Sequence, residues 1–360
     1  MKICFLITGM GVGGAEKHIL KLIPLLKCEK FIISLTNFNE FGKILTKHGV
    51  KIYYLGFKRY NFFSVINQFR IIILKEKPNI IDSYLIHSNL FARIFGKLFG
   101  INKIINSVRN DYSSFKFLSF LDRITQNKVD LYLINSYSLF SYVNRILRVP
   151  ISKIKVLPNG IDLENIYRNL DYEFNIKSEL CLKEETIIIV SISRLHKQKN
   201  LPILIKTLQY LDDNFILIIV GDGPERIRLI KLTKELKLNH RVHFLGIRFD
   251  IVNILNSSDI FILPSKIEGM SNALLEAMAL KKICIVSKIP QNEVLIKDGI
   301  NGFLFNPTDE NDLAKKIQTV HNNNALDKIQ QAALTTVETD HLINNIAIKY
   351  EEIVERLLDF

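Results

Sequence analysis

Asp259-Ile260-Phe261-Ile262-Leu263-Pro264-Ser265-Lys266-Ile267-Glu268-Gly269-Met270-Ser271-Asn272-Ala273-Leu274-Leu275-Glu276-Ala277-Met278-Ala279 is the stretch on which the fold turns. Residues 259–263 are a short apolar run of the kind buried as a parallel strand. From Asn272 onward helix formers recur with apolar spacing, so a helix begins near Ser271 or Asn272. A strand, a loop with one carboxylate and a helix with a second carboxylate therefore follow one another. Open α/β sheets bind ligands at the carboxyl ends of their strands, and the unpaired N–H groups of a first helical turn suit a phosphate or another oxygen-rich group. Glu268 is placed to accept hydrogen bonds from hydroxyls, and Glu276 to hold a vicinal diol such as a ribose.

Two glutamates eight apart also arise as a solvated loop acid and an exposed helix acid, so the rest of the chain has to decide. With Gly269 and Ser271 between them, in a strand-loop-helix setting, the pair resembles the signature of retaining glycosyltransferases of the GT-B fold, specifically glycosyltransferase family 4 (glycosyl transferases group 1). The resemblance implies that Glu268 contacts the donor sugar and Glu276 the ribose of the nucleotide. It also implies that Gly269, Met270, Ser271 and Asn272 line the donor.

The chain has 360 residues, enough for two domains. Its hydrophobic share of 48% and charged share of 23% describe a globular protein and exclude a disordered one. Cys4, Cys28, Cys181 and Cys284 are scattered and form no C-x-x-C pair, which predicts a reducing, cytoplasmic setting. The apolar start from Ile3 to Ile7 stops at a glycine cluster, too short for a signal peptide or a spanning helix. Charge is unevenly placed. Residues 1–160 hold 24 Lys and Arg against 8 Asp and Glu, whereas residues 161–360 hold 24 against 28. The basic half predicts an anionic partner: nucleic acid, an anionic membrane surface at the inner face of the cell, or a pyrophosphate-bearing acceptor. Solvated surface lysines give the same count.

In the first half, Lys2 to Ile7 reads as a strand, followed by Thr8-Gly9-Met10-Gly11-Val12-Gly13-Gly14 and a helix from about Ala15 to Leu26. Gly9, Gly11 and Gly14 match G-x-G-x-x-G, which raises a nicotinamide- or flavin-binding alternative. That fingerprint also needs an acid at the end of the second strand. Here the strand Phe31 to Thr36 ends in Asn37. The family has a similar loop (Gly11, Gly13 and Gly14 here), where glycines let backbone approach the donor phosphate and the acceptor. Strands at 50–55, 78–83, 103–108 and 130–136 alternate with helices at 62–75 and 88–99, which predicts a doubly wound parallel sheet.

His87 and Arg109 each follow a strand and are candidates for the acceptor side. Family members often carry His near the acceptor where this chain has Arg109, and a guanidinium fork suits an acceptor phosphate. The aromatic, basic stretches 57–63 and 112–121 suit contact with an anionic membrane, or else core packing. Pro158-Asn159-Gly160-Ile161-Asp162, which resembles a family stretch at the domain junction, and the polar segment from Asn165 to Glu185 mark the boundary.

The second half restarts the alternation. Arg194 and Lys199, five apart after the strand 186–191, are placed to neutralise a diphosphate and the charge that grows as it leaves. The family has a matching segment with that role. Gly221-Asp222-Gly223-Pro224-Glu225 turns the next strand into a helix, with Gly221 near the donor. A short helix is expected at Glu293 to Lys297 and a long amphipathic one at Leu342 to Leu358.

The expected fold is α/β: two Rossmann-like doubly wound domains facing a cleft, with a C-terminal helix packing back on the first. The expected bounds are 1–162 for the acceptor side, 163–340 for the nucleotide-sugar side and 341–360 for the returning helix. The expected reaction moves a sugar from a nucleotide-diphosphate donor, most naturally a UDP-sugar, to a hydroxyl of a saccharide or lipid-linked acceptor of surface-polysaccharide biosynthesis. Catalysis is expected from Glu268, Arg194 and Lys199. No D-x-D motif occurs, so neither metal nor cofactor is expected. A nucleotide-sugar epimerase of the same plan, a dinucleotide oxidoreductase and a nucleic-acid-binding protein remain as alternatives. Against the last, the basic residues form no run and no known module, so no nucleic acid is expected.

Overall fold

The computed structural model describes residues 1–9, 14–37, 40–109, 112, 116–323 and 326–359. The chain divides into two compact units, residues 1–160 with 343–360 and residues 161–342.

The first unit holds a sheet of seven parallel strands: β1 Lys2–Ile7, β2 Glu29–Ser34, β3 Lys51–Tyr54, β4 Ile80–Tyr84, β5 Lys103–Val108, β6 Leu131–Ile134 and β7 Ile154–Val156. Their order is β3-β2-β1-β4-β5-β6-β7, so the strand order reverses between β1 and β4. Strands such as Ile3-Cys4-Phe5-Leu6-Ile7 are apolar throughout because both faces are covered. One face packs on Ile19, Leu22 and Ile23 from the helix Gly14–Leu22 and the turn after it. The other packs on Val65, Phe69 and Ile73 of the helix Phe62–Glu76.

The long last helix, Ile343–Leu358, belongs to this first unit. Ile343, Ile346, Ala347, Tyr350 and Val354 join the core beside β1 and β4. Tyr350 donates a hydrogen bond to Asp82 Oδ2 at 2.9 Å, and Glu351 Oε1 accepts from the backbone N–H groups of Lys27 and Cys28. An amphipathic helix must bury its apolar stripe, and this one does so against the first sheet.

The second unit holds six parallel strands: β8 Ile187–Ile192, β9 Phe215–Val220, β10 Val242–Gly246, β11 Ile260–Leu263, β12 Ile283–Ser287 and β13 Phe303–Phe305. The order β10-β9-β8-β11-β12-β13 reverses between β8 and β11. Apolar clusters fill both faces, one around Ile218, Phe261 and Met278, the other around Ile219, Ile262 and Phe305.

Several boundaries differ from the sequence reading. The first helix ends at Leu22 and a 3-10 turn carries Ile23–Leu25, because Pro24 lacks the N–H that an α-helix needs. The helix expected from Ser88 starts at Ile86 and widens into a π turn over Ala92–Gly96. That turn carries the fully buried Arg93, whose guanidinium is paired with Asp122. The short helix expected at Glu293 to Lys297 lies at Pro290–Glu293, where Pro290 takes a first-turn position that needs no N–H donor. Residues 161–162 and 341–342 belong with the second unit, since Ile161 bridges Leu342 and its N–H donates to His341 O at 2.7 Å. The polar segment after the junction is folded into the same unit, with Ile166 and Ile176 buried in its core.

Candidate active site

The carboxyl ends of β8 and β11 flank the point where the second sheet reverses, and open sheets bind ligands outside such a point. Two loops rise there: Ser193 to Asn200 after β8, and Pro264 to Ser271 after β11. They are joined directly, since Lys266 N–H donates to Gln198 O at 2.8 Å.

The first loop is braced by its neighbour. Leu195 N–H donates to Asp222 O at 2.9 Å, and Glu225 N–H to Leu195 O at 3.0 Å. Gly221, with φ +125°, passes so close that a Cβ there would lie 2.0 Å from Ser193 O. Only glycine tolerates both that conformation and that approach. Gly221 thus fixes the backbone on which Arg194 stands. The Arg194 side chain is exposed and has no hydrogen-bond or ion-pair partner among the described residues. Lys199 closes a 3-10 turn, Lys197–Lys199, and is partly buried.

Lys199 Nζ meets Glu268 Oε1 at 2.5 Å across the two loops. The same carboxylate oxygen accepts from Ser265 Oγ at 2.6 Å. Ser265 is held in turn, because Ser287 Oγ donates to its carbonyl at 2.5 Å, and Asn292 Nδ2 donates to Ser287 O at 2.9 Å and Oγ at 3.1 Å. Ser265, Ser287 and Asn292 are all buried. The relay leaves Glu268 Oε2 with no hydrogen-bond donor among the described residues. One oxygen is anchored, and the other is free among the described residues to accept a further hydrogen bond.

The helix Asn272–Ala279 starts where the loop ends. Ser271 is its N-cap, with Oγ accepting from Leu274 N–H at 3.3 Å. Gly269, Met270, Ser271 and Asn272 are half-buried along the loop, and Met270 packs on the core. Glu276 is buried in the second turn of the helix, which is why it stays with the site rather than the solvent. Arg194, Lys199, Gly221, Glu268 and Glu276 thus all stand at or just beyond the carboxyl edge of one sheet, with Lys199 and Glu268 in contact.

The acceptor-side candidates lie in the first unit. Gly11 and Gly13 fall outside the described residues, and Gly14 opens the helix Gly14–Leu22. His87 is exposed on the helix Ile86–Phe91. That helix follows Leu85, a non-glycine residue at φ 72° at the end of β4 beside the first sheet's reversal point. Strain of this kind gathers at functional sites. Arg109 is buried at the end of β5, donating from Nη1 to Asn159 Oδ1 at 2.9 Å. Asn159 of the Pro-Asn-Gly stretch therefore orients Arg109.

Ser265, Ser287 and Asn292 were not singled out from the sequence. Ser265 precedes Glu268 by three residues, a spacing at which a hydroxyl reaches a loop carboxylate. Nothing local ties Ser287 and Asn292 to it. Among the described residues no group of three or more His, Cys, Asp or Glu side chains gathers as a metal cage, and no helix is long and apolar enough to cross a membrane.

Comparison with known proteins gives the family and the fold. The family described as "Glycosyl transferases group 1" matches residues 173–335. An Escherichia coli UDP-Gal:alpha-D-GlcNAc-diphosphoundecaprenol alpha-1,3-galactosyltransferase is 31% identical over 260 residues, 68% of this chain and 67% of that protein. A Campylobacter jejuni N-acetylgalactosamine-N,N'-diacetylbacillosaminyl-diphospho-undecaprenol 4-alpha-N-acetylgalactosaminyltransferase is 27% identical over 354 residues, 91% of this chain and 92% of that one. Among solved structures, Anabaena Alr3699/HepE in complex with UDP-glucose superposes with a TM-score of 0.88 at 21% identity, covering 99% of this chain and 100% of that one. The chain therefore has the GT-B fold and belongs to the glycosyl transferases group 1 family of glycosyltransferases.

Proposed function

We propose that this glycosyltransferase moves a hexose-type sugar from a UDP-sugar to a hydroxyl of a lipid-linked or saccharide acceptor in surface-polysaccharide assembly, with retention at the anomeric carbon and without a metal ion. The observation that carries the reading is the Lys199–Glu268 pair with its Ser265 anchor, set at the reversal point of a doubly wound sheet beside a helix start. The relative from Escherichia coli, named for a UDP-Gal donor and a diphosphoundecaprenol-linked acceptor, supports the donor and acceptor classes.

In the reaction the bond from the anomeric carbon to the β-phosphate oxygen breaks, and a bond from that carbon to the acceptor oxygen forms on the same face. The acceptor hydroxyl proton passes to the departing phosphate oxygen. Positive charge grows on the sugar and negative charge on the diphosphate. Arg194, Lys199 and the N–H groups at the start of the helix Asn272–Ala279 face the latter and supply the stabilisation a metal gives elsewhere. Glu268 Oε2 receives donor-sugar hydroxyls, and Glu276 holds the ribose diol.

The enzyme works in the cytoplasm, at the inner face of the cell membrane. Phe63, Phe117 and Phe120 are exposed on the helices Phe62–Glu76 and Lys116–Thr125, and Tyr60 just before the first of them, among Lys58, Arg70 and Arg123. Aromatic side chains with neighbouring cations fit an anionic headgroup region. A thermal-shift screen of UDP-, GDP- and TDP-sugars, followed by a turnover assay with the best donor, tests the reading. Stabilisation by a UDP-sugar and transfer to a prenyl-diphosphate-linked sugar are expected, and a response to GDP- or TDP-sugars alone contradicts the UDP assignment.

A further inference from the structure

Side chains alternate along a strand, so Ile80, Asp82 and Tyr84 of β4 share a face with Ile105, Ser107 and, just past the strand, Arg109 of β5. Ile80, Tyr84 and Ile105 lie in the core that also takes Ile19 and Tyr350, which identifies this as the face under the first and last helices. A polar column is therefore buried between sheet and helices, and it ends at the strands' carboxyl edge.

Most of the column is satisfied. Asp82 accepts from Ser107 Oγ at 2.8 Å on Oδ1 and from Tyr350 at 2.9 Å on Oδ2. The top of it is not. Arg109 is only 7% exposed, and although Nη1 is bonded to Asn159, Nε and Nη2 have no partner among the described residues. Those two atoms form one edge of the guanidinium, where two N–H bonds run parallel and match the spacing of two oxygens of a phosphate or carboxylate. The guanidinium carbon sits 5.3 Å from the centre of the Tyr84 ring. On the same ring, with centroids 6.5 Å apart, lies His18 from the first helix, 2% exposed and with neither ring nitrogen bonded among the described residues. Burial, and after it the charge of Arg109, holds the His18 imidazole well below its ordinary pKa range. It is neutral there and offers one N–H donor.

A buried guanidinium with its two-pronged edge unbonded is costly unless a ligand completes it. We infer that Arg109 and His18 form an oxyanion subsite in the first unit, which holds a phosphate group of the acceptor. Three donors, two from Arg109 and one from His18, suit the four non-bridging oxygens of a diphosphate better than the two oxygens of a carboxylate. The assignment to the acceptor rests on the reading of the first unit as the acceptor side. The subsite itself rests only on the buried geometry.

Two measurements on the full chain test it. In the first, inorganic phosphate is titrated while the His18 imidazole resonance is followed by NMR, assigned with His18→Gln. A saturable shift is expected in the wild type and in Lys199→Ala, whose change lies in the other unit. At least tenfold weaker binding is expected in Arg109→Gln and in Arg109→Lys, which keeps the charge but lacks the parallel edge. No shift in the wild type, or an equal one in Arg109→Lys and Arg109→Gln, overturns the subsite. Circular dichroism on each variant confirms that it is folded. In the second, acceptor KM is compared for an amino sugar linked through diphosphate to a short prenyl chain and for the same sugar as an octyl glycoside. Arg109→Lys is expected to raise KM about tenfold or more for the first and less than twofold for the second. Equal effects on both overturn the acceptor assignment. Wild-type enzyme inactive on either acceptor counts against the proposed acceptor class, while the phosphate titration still decides the subsite.

Discussion

Lys199 Nζ and Glu268 Oε1 stand 2.5 Å apart, on loops that follow two strands adjacent in the sheet but 69 residues apart in the chain. The ion pair fixes the carboxylate from one side and leaves the lysine's remaining N–H bonds for an anion. In the proposed reaction the two share one function, which the loss of either member is expected to break. Glu268→Ala and Lys199→Ala are each expected to lower kcat/KM for sugar transfer by about a hundredfold or more while circular dichroism stays as in the wild type. Wild-type rates in either variant contradict the site.

In the proposed site Ser265 acts through Glu268, to which its hydroxyl donates, rather than on the substrate. Its backbone carbonyl is held by the Ser287–Asn292 pair, and its hydroxyl anchors one carboxylate oxygen of Glu268. Ser265→Ala is expected to lower kcat about tenfold to a hundredfold with little change in donor KM, and Ser265→Thr to recover most of the loss. An unchanged kcat in Ser265→Ala would remove Ser265 from the account.

Gly221→Ala probes the bracing of the Arg194 loop. The added Cβ meets Ser193 O at 2.0 Å and sits at a φ of +125° that only glycine adopts comfortably. A destabilisation of about 2–4 kcal/mol is expected, together with weaker diphosphate binding. A melting temperature and nucleotide affinity equal to those of the wild type would show that the loop does not need this contact.

Asp82 gives the first unit a pH dependence. Burial pushes its carboxyl up to about 7, against hydrogen bonds from Ser107 and Tyr350 that pull the other way. A raised carboxyl pKa means that the folded state holds a proton the unfolded chain has released. Stability from this group is therefore full below the ordinary aspartate range and is lost as pH rises toward 7, by up to about 4 kcal/mol. Asp82→Asn carries no charge and keeps one acceptor oxygen, while its amide nitrogen donates to the other of the two hydroxyls. Its melting temperature is expected to fall less than that of the wild type between pH 5 and pH 8, and parallel curves contradict the assignment.

Membrane contact is tested by flotation with anionic liposomes. Replacing Phe63, Phe117 and Phe120 together by Ser is expected to reduce the floated fraction severalfold without changing the melting temperature, because all three side chains are exposed. Unchanged flotation would assign these aromatics no lipid role.

The strands were legible because both faces of each sheet are covered, and runs such as Phe215–Val220 and Lys103–Val108 are bounded by turn residues on either side. The two loops that carry Arg194, Lys199 and Glu268 were legible as loops, since each follows its strand directly and carries its charges within a few residues. Helix ends were less so. Pro24 and Pro290 shift them by constraints on hydrogen bonding, and the π turn around Arg93 depends on Asp122, 29 residues away. The relay from Asn292 to Glu268 was illegible for the same reason: Ser287 reaches Ser265 across neighbouring strands, through pairing no local pattern records. His18 reads as one more residue on an amphipathic helix until the sheet beneath it places Tyr84 and Arg109 there.

The most direct measurement follows the anomeric centre itself. Wild-type enzyme, the UDP-hexose it binds best and a prenyl-diphosphate-linked amino sugar are incubated together, and the new glycosidic linkage is read by proton NMR alongside the Glu268→Ala variant. The account predicts a product with the donor's own anomeric configuration from the wild type and none from the variant. An inverted linkage, or undiminished product from Glu268→Ala, would contradict it.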